Sequence, residues 1–413
     1  MVLGDPENMT ATVDKNQVQP LRSGTRDYRH VTLALFVAGL TTFGSMYSTQ
    51  AVLPELTHVF GVAPAVSALA VSVTTGLLAL TIIPVSALSE RYGRTPVMIA
   101  SAVASVILGL LVPLAPSMGV LLALRAVQGV ALAGVPAVAM AYLAEEVDGR
   151  DLGGAMGRYV AGTTIGGLLG RVVTACGLDV LSWRWAMEVF AIAAAILTVV
   201  LVRLLPPSRF HVPQCVSVAA TVRNVAGHVR RPALGVLFLL AFLLMGGFVS
   251  AYNYLGFRLL AAPFHLPSAV VGLVFLIYLA GTWSSGRAGR LADRIGRRTV
   301  LLASIACMGL GLLLTLPDFL PTLLAGTVVL TAGFFGAHSV ASGWVGSLAT
   351  EHRAEASSAY LFCYYVGSSV VGAAAGLAYT AGGWAGIVAA VGTGVLIALL
   401  VAAGVLRGHR IAA

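Results

Sequence analysis

The stretches SALSERYGRTPVMIAS at residues 86–101 and GRLADRIGRRTVLLAS at residues 289–304 are two copies of one pattern, 203 residues apart in a chain of 413. Each copy carries the end of one apolar run into the start of the next through a short, arginine-rich turn. Two further pairs keep nearly the same spacing. FGVAPAVSAL at 60–69 matches FHLPSAVVGL at 264–273, and YVAGTTIGGLLG at 159–170 matches YYVGSSVVGAAAG at 364–376. Self-similarity at half the chain length predicts two equivalent units joined by a linker.

The runs around these turns set the environment. The AVILMFWYC residues make up 58% of the chain, only 10% is charged, and mean hydropathy is +0.92. So few charges cannot cover a water-soluble fold of this length, whose charged share averages about 25%. A cytosolic enzyme, a disulfide-stapled secreted domain and a disordered chain are excluded. The four cysteines form no CxxC pair and read as small buried hydrophobes, with no metal site implied.

A crossing helix needs about 20 mainly apolar residues. Twelve windows meet that length: 31–53, 66–88, 96–114, 118–143, 153–177, 183–204, 233–257, 268–288, 299–316, 320–345, 357–380 and 384–406. The expected fold is therefore all-α, an integral membrane protein of twelve transmembrane helices in two pseudo-symmetric six-helix bundles. Its parts are an N-terminal tail (1–30), a first bundle (31–204), a linker (205–232), a second bundle (233–406) and a C-terminal tail (407–413). Residues 1–30 lack the apolar core of a signal peptide. Of 25 Lys and Arg residues, 21 fall in the tails, the linker and every second loop, which predicts that both tails and the linker are cytoplasmic. The net charge of +9 thus belongs to topology, and no aromatic-interleaved basic stripe for nucleic acid exists.

Charges within the spans are few, and each needs a partner or a purpose. Arg171, Arg184 and Glu188 lie at similar depth, which predicts either an ion-pair cluster tying the fifth and sixth spans or a proton carrier at Glu188. The last six spans contain no Asp or Glu, so Glu55 and His338 are the other proton candidates. Gly162, Gly166 and Gly170 recur every fourth residue, as do Gly372 and Gly376, laying flat faces along two helices that can approach and slide.

Two six-span halves with a G-x-L-a-D-r-x-G-r-r loop in each resemble the major facilitator superfamily over essentially the whole chain. RAVQG at 125–129 is similar to the fourth-span motif of proton-driven drug antiporters. GTTIGGLLGR at 162–171 resembles their glycine motif without its proline, and FVSAYNYLGFRLLAAPF is similar to the sugar- and drug-efflux permeases called arabinose-efflux-like. The resemblance implies a transporter, not an enzyme, that works by alternating access as a monomer in the cell inner membrane. It implies proton-coupled efflux of drugs or sugars; import of a small organic anion or sugar is the alternative. No bound cofactor is implied, because the proton gradient supplies the drive and no phosphate-cradling GxxxxGK[ST] loop exists. It also implies a conformational latch of Glu90, Arg91, Gly93 and Arg94 in one copy and Gly289, Asp293, Arg294, Gly296 and Arg297 in the other. The implied central path is lined by Tyr47, Gln50, Arg125, Gln128, Tyr252, Asn253, Tyr254, His338 and Trp344, with Arg171 and Glu188 as further path candidates. Tyr278 and Tyr364 reach in from flanking helices.

Overall fold

The computed structural model describes residues 19–211, 218–349, 351 and 353–406, and among them regular structure is almost wholly helical. Residues 1–18 of the first tail, the linker stretch 212–217 with Cys215, and the second tail at 407–413 lie outside the described residues. In chain order the apolar helices are α1 (Arg26–Phe60), α2 (Pro64–Tyr92), α3 (Arg94–Leu114), α4 (Met118–Glu146), α5 (Leu152–Leu178), α6 (Trp183–Leu204), α7 (Pro232–Leu260), α8 (Ser268–Ile295), α9 (Arg297–Leu314) and α10 (Leu320–Leu348).

The last helical stretch, Arg353–Val405, runs 53 residues, which as one rod would measure about 80 Å against a hydrocarbon core of about 30 Å. It breaks at Gly382 and Gly383, whose dihedrals leave the helical region. Residue 386 returns so close to the 378 carbonyl that a Cβ there would overlap it. A continuous helix would hold these eight residues about 12 Å apart, so the chain reverses at the glycines. The two arms are α11 (353–381) and α12 (384–405). Large apolar side chains on the outer surface, such as Leu80, Ile107, Ile196, Leu377 and Leu400, suit a lipid-facing exterior. Cys176 and Cys307 also face outward, against the expectation that they are buried. An apolar side chain on a spanning helix loses nothing by facing lipid.

The same pairings recur in each half. Helix α1 packs along α5 as α7 packs along α11, and α3 meets α4 as α9 meets α10. The halves meet where α2 lies on α11 and where the start of α8 lies on α5. The repeat extends to the backbone. Gly93 and Gly296, at the two copies of the turn, have φ of 95° and 93° with extended ψ, a conformation open to glycine alone.

One end of the bundle, here the basic end, pairs residue 21 with 147 and 95 with 206 in the first half, and 298 with 403 in the second. There the segment before α1 is anchored, because Leu21 N–H donates to Glu146 O at 2.8 Å and Asp148 N–H donates to Leu21 O at 2.9 Å. Glu146, fully buried, accepts the backbone N–H groups of Arg209 and Phe210 and the Arg209 Nε–H, so the first residues of the linker are tied to the end of α4. Further along the linker a helix forms at Val218–Val229.

The glycine stripes serve different contacts. Gly162, Gly166 and Gly170 lie on the α1 backbone at Phe36, Leu40 and Gly44, inside one half. Gly372 and Gly376 lie on Ser72 and Ala65 of α2, across the halves. The sliding face expected of both stripes is thus an inter-half feature only on α11. Gly367, against the Phe242 carbonyl, takes the place on α7 that Gly162 takes on α1.

Candidate functional site

Hydrogen bonds between the halves lie mid-membrane and at the far end, opposite the basic end. Gln50 Nε2–H donates to Asn253 Oδ1 at 2.6 Å, and Ser368 meets Thr75 at 3.4 Å. Asp179, at the end of α5, accepts the Ser268 and Ala269 N–H groups at 3.0 Å each and so caps the N-terminus of α8.

Beneath this closure two 3-10 turns face each other. One interrupts α1 at Ser48–Val52, where Pro54 denies the helix a donor. The other interrupts α8 at Phe275–Ile277. Side chains three apart eclipse in such turns, so Tyr47 and Gln50 share one face and Phe275 and Tyr278 share another. Between them, 2% exposed, sits Arg171. Its Nε–H donates to Gln50 Oε1 at 2.5 Å and its Nη1–H to the Gly167 carbonyl at 2.7 Å. Its guanidinium carbon stands 4.2 Å from the Tyr47 ring centre, 4.6 Å from Tyr278 and 5.2 Å from Phe275, within cation–π range. No carboxylate pairs with it among the described residues.

From Tyr278 an aromatic wall descends through the second half. Tyr278 touches Tyr252 and Phe248, Phe248 stacks on Phe334 at 4.0 Å, and Phe334 stacks on His338. His338 Nδ1 lies 3.0 Å from the Tyr360 hydroxyl, and its ring is 4.9 Å from that of Tyr364. Tyr252 also hydrogen-bonds Thr331 at 2.7 Å.

The predicted path residues therefore divide. Tyr47, Gln50, Arg171, Tyr252 and Asn253 come together, and His338 joins them through the wall. Tyr254, two residues and about 200° around the helix from Tyr252, turns instead to Tyr379 at 4.7 Å. Trp344 lies buried in the second half's core, about 9 Å further along α10 than His338. Arg125 and Gln128 sit inside the first half. Arg125 donates to the carbonyls of Ala70, Ser45 and Met46 and to Gln128 Oε1 at 2.6–3.1 Å, which braces α4 to α1 and α2.

The ion-pair cluster expected of Arg171, Arg184 and Glu188 does not form. Arg184 turns to the Pro113 and Ala115 carbonyls, Arg171 turns to the cage, and Glu188 Oε2 is buried without a partner. Equal depth brought the three to one level, but the helices aim them in different directions. Sequence reasoning passed over Phe248, Phe275, Phe334 and Phe335. The pattern FFxxH at 334–338, which puts Phe334 and His338 one turn apart, was the available signal.

In the latch copies, Arg94 Nη2 pairs with Glu90 at 2.7 Å, one turn away, and with Glu145 of α4 at 2.6 Å. Glu145 was not anticipated. The second copy fits the motif more closely, yet Asp293 has no ion pair among the described residues, and Arg297 turns to Ser347.

Two repeated helical halves, closed at one end around a buried polar and aromatic centre, define a membrane transporter. The profile of the Major Facilitator Superfamily matches residues 35–287 and 237–411, and the chain belongs to that family. It is 41% identical to the inner membrane transport protein YnfM of Escherichia coli (strain K12), over 93% of this chain and 92% of that one. It is 40% identical to the MFS-type transporter YybF of Bacillus subtilis (strain 168), over 92% of this chain and 94% of that one. Among solved structures it resembles a bacterial homologue of the human lysosomal transporter Spinster, inward-facing and unoccupied, with a TM-score of 0.77 at 16% identity, over 94% of this chain and all of that one. A mutant of the nucleoside transporter NupG gives a TM-score of 0.75 at 15% identity, over 92% of this chain and all of that one. At such identities these two likenesses speak for the fold alone.

Proposed function

We propose that this transporter exports small amphiphilic molecules, drugs or sugars, against proton entry. In this reading residues 31–204 and 233–406 rock as two units about the buried centre. The tails and the linker are cytoplasmic, so the structure is the inward-facing state. The observation that carries the reading is the placement of inter-half contacts, which close the far end above a packed wall of aromatic rings. The excess of cationic residues at the basic end supports the orientation. The Escherichia coli relative, by its name an inner membrane protein, supports the same location here.

His338, partnered with Tyr360, and Glu188, whose Oε2 is buried without a partner, are the groups proposed to carry the proton. The two turns act as a latch. The Arg94 ion pairs belong to one half in this state, and Asp293, Arg294 and Arg297 engage when the basic end closes. The protein acts as a monomer and takes its drive from the proton gradient.

Import of a small organic anion or sugar is the second reading, favoured by the unpaired Arg171. Flux in proteoliposomes under an imposed pH gradient separates the two. Export predicts that an inward proton gradient drives substrate out and that dissipating it stops the flux. Outward flux indifferent to the gradient would exclude the export reading.

A further inference from the structure

We infer that Arg171 is the anchor for an anionic group of the substrate, so that the transported molecule is a small amphiphilic carboxylate. The inference rests on the transporter reading above but is independent of flux direction.

Each of the other buried arginines holds a carboxylate or four protein oxygens, although the Arg258 Nε is left without a partner. Arg125 holds three carbonyls and an amide oxygen, Arg258 holds the Leu316 and Pro317 carbonyls and Asp318, and Arg94 holds two glutamates. Arg171 is the exception among these. Its guanidinium meets three neutral oxygens, those of Gln50, Gly167 and the Tyr278 hydroxyl, and otherwise the faces of Tyr47, Tyr278 and Phe275, with no counter-charge among the described residues. A guanidinium held this far from water without a counter-charge is costly, and rings alone do not replace a carboxylate. Its donor fork fits a carboxylate two-handedly.

A second, independent feature points to the same place. Asn253, across the halves, is 1% exposed, and its Nδ2 has no partner while its Oδ1 accepts from Gln50. Gln50 thus bridges Arg171, a cation without a counter-charge, to Asn253, a buried amide with an unused donor. Both would receive oxygens of one ligand whose apolar body lies on the aromatic wall. The cage draws Tyr47, Gln50 and Arg171 from one half and Asn253, Phe275 and Tyr278 from the other. Opening the far end dismantles it, so the anion binds most tightly to the closed state.

The test uses the full chain in nanodiscs with benzoate as probe, and benzamide and benzylammonium as its neutral and cationic counterparts. Spin labels at Val180→Cys and Phe319→Cys, in a cysteine-free background, report the far-end distance, and thermal melting reports binding. Benzoate is expected to narrow the distance distribution to its short component and raise the melting temperature, with the other two probes inert. Arg171→Gln should weaken the benzoate response by about tenfold or more, and Arg171→Lys should retain part of it. Equal responses to benzoate and benzamide in the parent protein, or a benzoate response that survives Arg171→Gln, would overturn the inference. The parent comparison stands even where a variant fails to fold. Two interchanging distances that ignore benzoate overturn the anion site and leave alternating access intact. One unchanging distance under all conditions overturns the transporter reading and the inference with it.

Discussion

Arg125 and Arg171 show how one side chain in one kind of membrane helix takes opposite roles. Both are buried cations without a carboxylate, yet the first is held by helix carbonyls inside one half and the second by a glutamine, one carbonyl and a ring cage drawn from both halves. Replacing Arg125 by Ala strands several acceptors, and stability in detergent should fall by about 3 kcal/mol, read as the shift of a thermal melt. At the turns, Gly93→Ala and Gly296→Ala impose a Cβ on a conformation that only glycine accepts, and each should cost about 1–3 kcal/mol. A Cβ would meet nothing within 4 Å at Gly296 and only ordinary contacts with Pro96 and His211 at Gly93, so backbone strain is the cause and serine and alanine should behave alike. At the basic end, hydrogen bonds from Arg150 hold the Asp148 carboxyl down at about 2, below its usual 3.8. A depressed carboxyl favours the fold above its unfolded value and loses that contribution as pH falls towards 2. Any change of transport between about pH 5 and 8 therefore has another origin, and Asp148→Asn should leave the pH profile of flux unmoved.

At the scale of the element, the 3-10 turns in α1 and α8 do what regular helices could not. They bring residues three apart into register and aim Tyr47, Gln50, Phe275 and Tyr278 at one point. The α1–α5 seam is the opposite case, a rigid joint. Gly166→Val places a side chain where the Leu40 backbone lies, and the first half should fail to assemble, seen as loss of monodisperse protein in gel filtration. Asp179 caps α8 from the other half, so this bond must break whenever the far end opens. Asp179→Ala removes about 1 kcal/mol from the closed state alone, which is roughly a fivefold rise in the open fraction. Cysteine labelling of the far-end loops from outside intact cells measures it.

Across the whole molecule, the two halves share helix pairings and turn geometry but not chemistry. The first half contributes the cation and the Arg94 ion pairs, and the second contributes the ring wall and His338. A transporter assembled from a repeat can thus keep its mechanics symmetric while its binding surface is not.

The helical crossings, the repeat and the two glycine-bearing turns were legible along the chain, because hydropathy, spacing and glycine placement are local quantities. Even the reversal at Gly382–Gly383 was marked by the gap between the windows 357–380 and 384–406. The partners of buried charges were not legible. Arg171, Arg184 and Glu188 matched in depth, but depth leaves the rotation of each helix about its axis open, and that rotation comes from packing. Small residues decide how near α5 can come to α1, and that approach turns Arg171 toward Gln50 and the rings of the opposite half. Linear order can tell which side chains reach the same level of the bilayer; only the fitting of helix against helix chooses which of them meet.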